Sequence, residues 1–465
     1  METRANNREQ IHEKERLIRP ELAKEDPDIE TQTQIAQLER ELEWRYREIG
    51  YVAKNRSVVR SKNETLEIAI NPDLTPVVRG TPFTKDLRPT VRTRYNRALN
   101  LLQVSERTRI GHVDTGVSRH PALGFDVAGN APETLLLAEG RDFLDSGTEA
   151  FSPLRERQST IQCIARGDPI GDCLTIYPDH GTKTLSVILS EDPKRLIGVA
   201  PGARVIPVRI ADGPVFQNNT QRDNMGPAIR HLLGLTPVPR VILVSMGNPG
   251  HAGLLEPLFS SFGADAGFNK DTGRAFDEAY QAGVIVVAGA GQLLDRVSYP
   301  ARYKSTIAVG GIRQDGQRHY PDSSYENPAL VDIWAQADGI NRAISYLEDG
   351  APRFEYFDQE PDTSTDDFSG TSYAAAQVAA AAALWVETFY YDLPQPGDVD
   401  AWKTVEAFRA AVVGSARPVF LKIGDKRRRV TRPRLDIERL LGYAPDLAAV
   451  TSPAPTAIQH SEQRE

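Results

Sequence analysis

Phe368-Ser369-Gly370-Thr371-Ser372-Tyr373-Ala374-Ala375-Ala376-Gln377-Val378, running on through Ala379 to Ala383 into Leu384 and Trp385, sets a serine where a small-residue loop becomes a long alanine-rich helix. A helix start presents unpaired backbone N–H groups and a partial positive charge, which favours an oxygen nucleophile whose product is an anion. Gly370 permits close backbone approach, and Ala374 to Ala376 keep the first turn free of bulk. Taken alone, Gly-Thr-Ser also fits an ordinary helix N-cap.

Two upstream segments bear on that choice. Arg109-Ile110-Gly111-His112-Val113-Asp114-Thr115-Gly116-Val117 reads as a buried strand entering a turn, with Asp114 at its carboxyl end. Tyr177-Pro178-Asp179-His180-Gly181-Thr182-Lys183-Thr184-Leu185 reads as a loop entering a second helix, with His180 at its entrance. Open α/β sheets gather their chemistry at the carboxyl ends of the strands. An Asp, a His and a Ser at such junctions form the set that nucleophilic acyl transfer requires. Singly, Asp114 also fits a turn residue and His180 a helix cap.

With these segments in hand, the chain resembles the subtilisin-like serine proteases, the subtilase family (peptidase S8), in which the triad runs Asp, His, Ser along the chain. The resemblance is carried by Asp114-Thr115-Gly116 with His120-Pro121-Ala122-Leu123, His180-Gly181-Thr182, and Gly198-Val199-Ala200-Pro201-Gly202-Ala203. It continues in Val244-Ser245-Met246-Gly247, Ser298-Tyr299-Pro300-Ala301-Arg302-Tyr303, Ile307-Ala308-Val309-Gly310 and Gly370-Thr371-Ser372. Together these span roughly residues 85 to 445. The fold so implied is α/β, with a mostly parallel central sheet between two helical layers.

The resemblance implies that Ser372 is the nucleophile, His180 the general base and then acid, and Asp114 the carboxylate that orients it. It implies that Ser245, Met246 and Gly247 pair with an extended substrate. Gly289, Ala290 and Gly291 match the opposite wall of the specificity pocket, and Ser298 its floor; small residues there also fit plain packing. The implied substrate is a protein or peptide and no cofactor is expected, although many members of the family bind structural calcium. No loop of spaced carboxylates is specific enough to nominate for calcium.

One departure concerns the oxyanion. The family places an asparagine after Ala-Gly, whereas Ala288-Gly289-Ala290-Gly291-Gln292 has Gln292 there. Loss of such a donor is known from a subtilisin to cost about 10²–10³ in turnover. Gln292 leaves three options: a working donor on a longer arm, a slower enzyme, or a site completed on activation. A catalytically impaired scaffold or binding protein of the same fold is the alternative function. Ala376 and Gln377 replace a usual Pro-His pair, which bears on helix packing more than on chemistry.

At 465 residues, 40% hydrophobic and 25% charged, the chain is of ordinary globular composition and long enough for one large domain with extensions. A net charge of −8 argues mildly against nucleic acid as a partner. No run reaches the about 20 apolar residues that span a bilayer, so no membrane association is expected. The N-terminus leads into no apolar stretch, and Cys163 and Cys173 are the two cysteines. Both observations favour a cytoplasmic, reducing setting with free thiols, a bridge between them being the alternative.

Residues 1–80 carry none of the family motifs. Ile35, Leu38, Leu42, Tyr46 and Ile49 predict a helix with one apolar stripe, docked on the protease body, bound to a regulatory protein partner, or inhibitory. Residues 81–445 form the peptidase domain, with alternating strands and helices from about 105 to 312 and a polar loop over Phe216 to Asn224. A helix, a hairpin turning at Gly424-Asp425 and a final helix near Asp436 to Leu441 follow. Residues 446–465 are expected to be a disordered tail, its Ala-, Pro-, Ser- and Gln-rich composition beginning at Ala444. Glu355, Asp358, Glu360, Asp362, Asp366 and Asp367 read as a solvated loop or as acids favouring basic substrates. Lys426, Arg427, Arg428, Arg429, Arg432 and Arg434 read as an exposed strand face, with binding of nucleic acid or an acidic partner as the sharper alternative.

Overall fold

The computed structural model describes residues 108–145, 149–156, 179–192, 196–216, 219–247, 270–291, 297–312, 330–337, 340–357, 370–423 and 428–454. The expected N-terminal helix, Cys163, Cys173, Gln292 and the acids from Asp358 to Asp367 lie outside the described residues.

In chain order the first elements are β1 (Arg109–Asp114), β2 (Arg141–Asp142), α1 (His180–Leu189), β3 (Glu191–Asp192), β4 (Leu196–Ile197) and β5 (Arg204–Arg209). Then come α2 (Asn219–Asp223), α3 (Met225–Leu233), β6 (Val241–Val244), α4 (Lys270–Gln281), β7 (Ile285–Gly289), β8 (Ile307–Ile312) and β9 (Ile333–Gln336). A hairpin, β10 (Arg342–Glu348) and β11 (Ala351–Phe357), precedes α5 (Thr371–Thr388) and α6 (Lys403–Gly414). The chain closes with β12 (Arg417–Ile423), β13 (Arg428–Arg434) and α7 (Ile437–Leu441).

Nine strands form one sheet in the order β12-β13-β9-β8-β7-β6-β1-β5-β2. Every neighbouring pair runs parallel except β12 and β13. Parallel strands covered on both faces are apolar throughout, and β6 (Val-Ile-Leu-Val) is buried at every position. The two-residue period then sorts side chains by face. Val205, Val241, Leu243, Ile285 and Val287 join one core with Leu185 of α1, Ala380 and Trp385 of α5, and Phe408 of α6. Ile206, Val208, Ile242, Val244 and Val286 join the other, with Ile229 of α3 and Phe276 of α4. The result is the expected three-layer α/β architecture.

Helix α5 is buried on all sides from Tyr373 to Val386. Its alanines make that possible, because a methyl group on each face lets the backbone pass close to both sheet and neighbouring helices. Gln377, the departure from the family pattern, ties α5 to β9 through an Nε2 donation to the Gln336 carbonyl at 2.8 Å.

Two expectations change. Within the stretch from Phe216 to Asn224 the chain forms α2 rather than a loop throughout. The C-terminal segment does not leave the body at Ala444: Ala444, Leu447, Val450 and Ala454 pack against the core. Small apolar residues spaced by polar ones gave a composition like that of a disordered tail, yet in residues 444–454 they pack on the core.

Candidate active site

Strand β1 lies between β5 and β6, so successive crossovers leave it in opposite directions. That makes its carboxyl end a topological switch point, where loops part and a crevice opens. Asp114 is the last residue of β1, and Ser245 follows directly on β6. Beside them Arg209 ends β5, its guanidinium held by Asp142, Asp145 and Asp212. Burial works against that charge, but the three carboxylates hold its pKa above the usual arginine range.

Helix α1 is laced onto the loop that leaves β1. The Gly181 N–H donates to Thr115 Oγ1 at 2.9 Å, and the Ser118 N–H donates to Thr182 Oγ1 at 2.8 Å. The first satisfies an N–H that a helix start leaves orphaned, and together the two hold the first residue of α1, His180, over the end of β1. His180 Nδ1 lies 2.7 Å from Asp114 Oδ1. Asp114 is fully buried and His180 nearly so.

Four donors converge on the Asp114 carboxylate. Besides His180 they are the Thr115 N–H at 2.7 Å to Oδ1, the Thr184 hydroxyl at 3.1 Å to Oδ2, and the Ser245 hydroxyl in a short bond to Oδ2. Burial alone would raise the carboxyl pKa. The charge and hydrogen bond of His180, with His112 and Ser245, outweigh it and hold Asp114 well below the usual carboxylate range. An ionised Asp114 accepts only, so in the neutral form of the imidazole the proton it bonds sits on His180 Nδ1 and Nε2 is left with the lone pair.

Ser372 is the second residue of α5, a position whose N–H has no intrahelical acceptor. The helix start is anchored by Gly370, whose N–H donates to the Ala337 carbonyl at 2.9 Å. The next side chain, Tyr373, stacks on the His180 ring with centroids 6.5 Å apart and planes at 28°. The first turn of α5 therefore lies alongside the imidazole. In this structure the Ser372 hydroxyl donates to the Ser245 carbonyl at 2.9 Å, and no hydrogen bond joins it to His180 among the described residues.

The pocket residues also gather. The Ser298 N–H donates to the Ala290 carbonyl at 2.8 Å, and its hydroxyl to the Gly289 carbonyl at 3.4 Å. A methyl group placed on Gly247 would sit 2.8 Å from Ser298 Oγ, so these two positions abut. The side chains of Met246 and Ala290, however, belong to the two cores, and only their backbone is available to a ligand. Ser245 likewise turns its hydroxyl inward to Asp114.

Sequence reasoning did not single out Thr184, His112 or the inward role of Ser245. Thr184 lies one helical turn after His180, and His112 two strand positions before Asp114, so periodicity held the signal. The hairpin β10–β11 was also unforeseen. It braces α1, with the Ala343 N–H donating to Ser186 Oγ at 2.9 Å and the Ser118 and Ser345 hydroxyls 2.6 Å apart. His120 pins it: its Nε2–H donates to the Glu355 carbonyl at 2.8 Å while its ring sits edge-on to Phe354 and Tyr356. Glu355, of the acidic cluster, thus belongs to this brace and accepts from the Tyr346 hydroxyl. Of the basic strip, Arg432 lies over the Trp334 ring, 5.4 Å from its centroid.

The model of the Subtilase family matches residues 106–443. Among curated proteins, subtilisin DY of Bacillus licheniformis is 32% identical over 116 residues, 24% of this chain and 35% of its own. Subtilisin BL of Lederbergia lenta is 28% identical over 214 residues, 44% of this chain and 62% of its own. Subtilisin E of Bacillus subtilis (strain 168) is 27% identical over 249 residues, 52% of this chain and 53% of its own. The chain thus matches less than two thirds of the length of these relatives. Among solved structures, a protease of Pseudoalteromonas arctica PAMC 21717 aligns with a TM-score of 0.48 at 17% identity, covering 73% of this chain and 90% of that one. MycP1 with its N-terminal propeptide removed aligns with a TM-score of 0.48 at 19% identity, covering 75% and 94%. A family match over most of its length, on a mostly parallel nine-stranded sheet, means that this chain belongs to the subtilase family.

Proposed function

We propose that the chain is a serine endopeptidase acting through Asp114, His180 and Ser372. The observation that carries this reading is the 2.7 Å bond from His180 Nδ1 to a buried, ionised Asp114, beside the first turn of the helix that bears Ser372. His180 Nε2 takes the Ser372 proton as the hydroxyl attacks a peptide carbonyl, and returns it to the leaving amine. The imidazolium that forms in between is stabilised by Asp114. The oxyanion is received by the Ser372 N–H at the positive end of α5, with Gln292 as the second donor. The substrate lies extended along the backbone of Ser245 to Gly247, and its side chain enters between Gly289–Gly291 and Ser298.

A fluorophosphonate probe tests this reading. The protein should label at Ser372 and cleave peptides, and Ser372→Ala should do neither. A folded protein that neither labels nor cleaves would instead be a scaffold of the same fold.

One observation favours a latent form of the same enzyme: Ser372 donates to the Ser245 carbonyl rather than to His180. On this reading, substrate or a regulatory partner bound through the N-terminal stripe releases the hydroxyl from the Ser245 carbonyl and turns it toward the imidazole. Labelling that accelerates on removal of residues 1–80 supports latency, and an unchanged rate removes it. A cytoplasmic setting rests on the sequence alone. Among the described residues no helix is long and apolar enough to cross a membrane.

A further inference from the structure

His112 is fully buried in the middle of β1, where its neighbours across the sheet are Pro207 and Leu243. An imidazole there carries a desolvation cost that an apolar β-branched residue would avoid. Its placement is not random. The strand period puts His112 on the same face as Asp114, and the helix period puts Thr184 on the same face of α1 as His180. Two rungs result. The upper joins His180 Nδ1 to Asp114 Oδ1 at 2.7 Å, and the lower joins His112 Nε2 to Thr184 Oγ1 at 2.9 Å. A diagonal connects them, because Thr184 Oγ1 also lies 3.1 Å from Asp114 Oδ2.

The proton positions follow from what each group can do. An ionised carboxylate only accepts, so the Thr184 hydroxyl gives Asp114 its single proton. The helix carbonyls of His180 and Gly181, each 3.2 Å from Thr184 Oγ1, are the competing acceptors, but they carry no net charge. The Thr184 oxygen must then accept from His112 Nε2–H. That leaves His112 Nδ1 bare, and Nδ1 is indeed a buried atom without a hydrogen-bond partner.

We propose that His112 is a positioning residue: as a neutral Nε2–H imidazole it aims the Thr184 hydroxyl at Asp114 Oδ2, and so tunes how strongly Asp114 holds His180. This rests on the serine-protease reading of the site. Burial, opposed by Asp114 and aided by the charge of His180, lowers the His112 pKa to about 4, so it stays neutral at ordinary pH. Asp114 on its own strand and His180 on α1 are the titratable groups that act on it. Without His112, the Thr184 proton is released to the helix carbonyls. Asp114 then loses a donor, attracts the His180 proton more strongly, and moves the acid limb of the pH profile upward.

The test is the pH dependence of kcat and KM on a peptide substrate for the wild type, His112→Val, Thr184→Val, the double variant and His112→Gln. Each single valine variant should raise the acid limb by about half a pH unit and lower kcat on the order of five-fold at unchanged KM. The double variant should be no worse than either single, because the two residues act as one chain. His112→Gln, whose amide N–H reaches the Nε2 position, should restore the wild-type limb. An active wild type whose limb is unmoved in Thr184→Val, or whose two valine effects simply add, overturns the role of His112 and leaves the protease reading standing. A folded wild type that neither labels with fluorophosphonate nor cleaves overturns both. Should His112→Val not fold, Thr184→Val and His112→Gln still decide.

Discussion

At the scale of the residue, the buried pair Asp114 and His112 makes the fold sensitive to acid in a definite direction. The His112 pKa falls from 6.5 to about 4 on folding, chiefly through burial. Between those values the unfolded chain binds a proton that the folded chain refuses, so stability is full above pH 6.5 and drains as pH falls toward 4. The loss attributable to this one side chain is on the order of 3 kcal/mol. Denaturant unfolding at pH 7 and pH 4.5 checks it: the wild type should lose more stability than His112→Gln, which has no proton to gain. Parallel losses would show that His112 does not carry the effect. Asp114 and His180 were legible in the sequence because each ends or begins an element, where a polar residue stands out against an apolar run. His112 was not, since a single histidine inside a strand gains meaning only when α1 is laid across it.

At the scale of the element, the position of His180 depends on how closely α1 can approach the loop after β1. A Cβ on Gly181 would lie 2.1 Å from the Gly116 carbonyl oxygen and 3.3 Å from Asp114 Cβ. Gly181→Ala must therefore push the helix start off the loop or displace that carbonyl, and backbone yields less readily than a side chain. We expect destabilisation of about 1–3 kcal/mol, the usual range for overpacking, together with loss of fluorophosphonate labelling as His180 leaves Asp114. Wild-type melting and labelling in this variant would contradict the tight contact. The glycine was visible in His180-Gly181-Thr182, but the distance that makes it necessary was not. The strands β5, β6 and β7 were readable as short β-branched runs, and the β12–β13 pair as a hairpin. The β10–β11 hairpin escaped, although its turn carried a signal. Asp349 and Gly350 both adopt positive φ, 52° and 75°, as a two-residue Asp-Gly hairpin turn requires. The mixed apolar and charged residues flanking that turn hid the alternation.

At the scale of the whole molecule, the segment after α7 packs on the same core as α1, α5 and α6. The Trp385 Nε1–H of α5 donates to the Tyr443 carbonyl at 2.9 Å. Beyond it, the Tyr280 hydroxyl of α4 donates to Glu406 of α6 at 3.1 Å and accepts from the Ala454 N–H at 2.8 Å. One phenol thus joins two helices to the end of the described chain, and burial with the nearby Glu406 raises its pKa above the ordinary tyrosine range. Leu447, Val450 and Ala454 cover apolar core that would otherwise meet water. Ending the chain after Tyr443 removes that cover and the Tyr280 bond while leaving Asp114, His180 and Ser372 in place. The half-buried contacts of these three residues amount to about 2–3 kcal/mol, an upper figure because the unfolded chain also hides part of that surface. The truncated protein should therefore melt several degrees lower yet keep the wild-type labelling rate at temperatures where it remains folded. A truncation that melts like the full chain would return the segment to the disordered tail its composition suggested. One that stays folded but loses labelling would show instead that this segment is coupled to the site through α5, whose first turn carries Ser372 and whose Trp385 bonds to Tyr443.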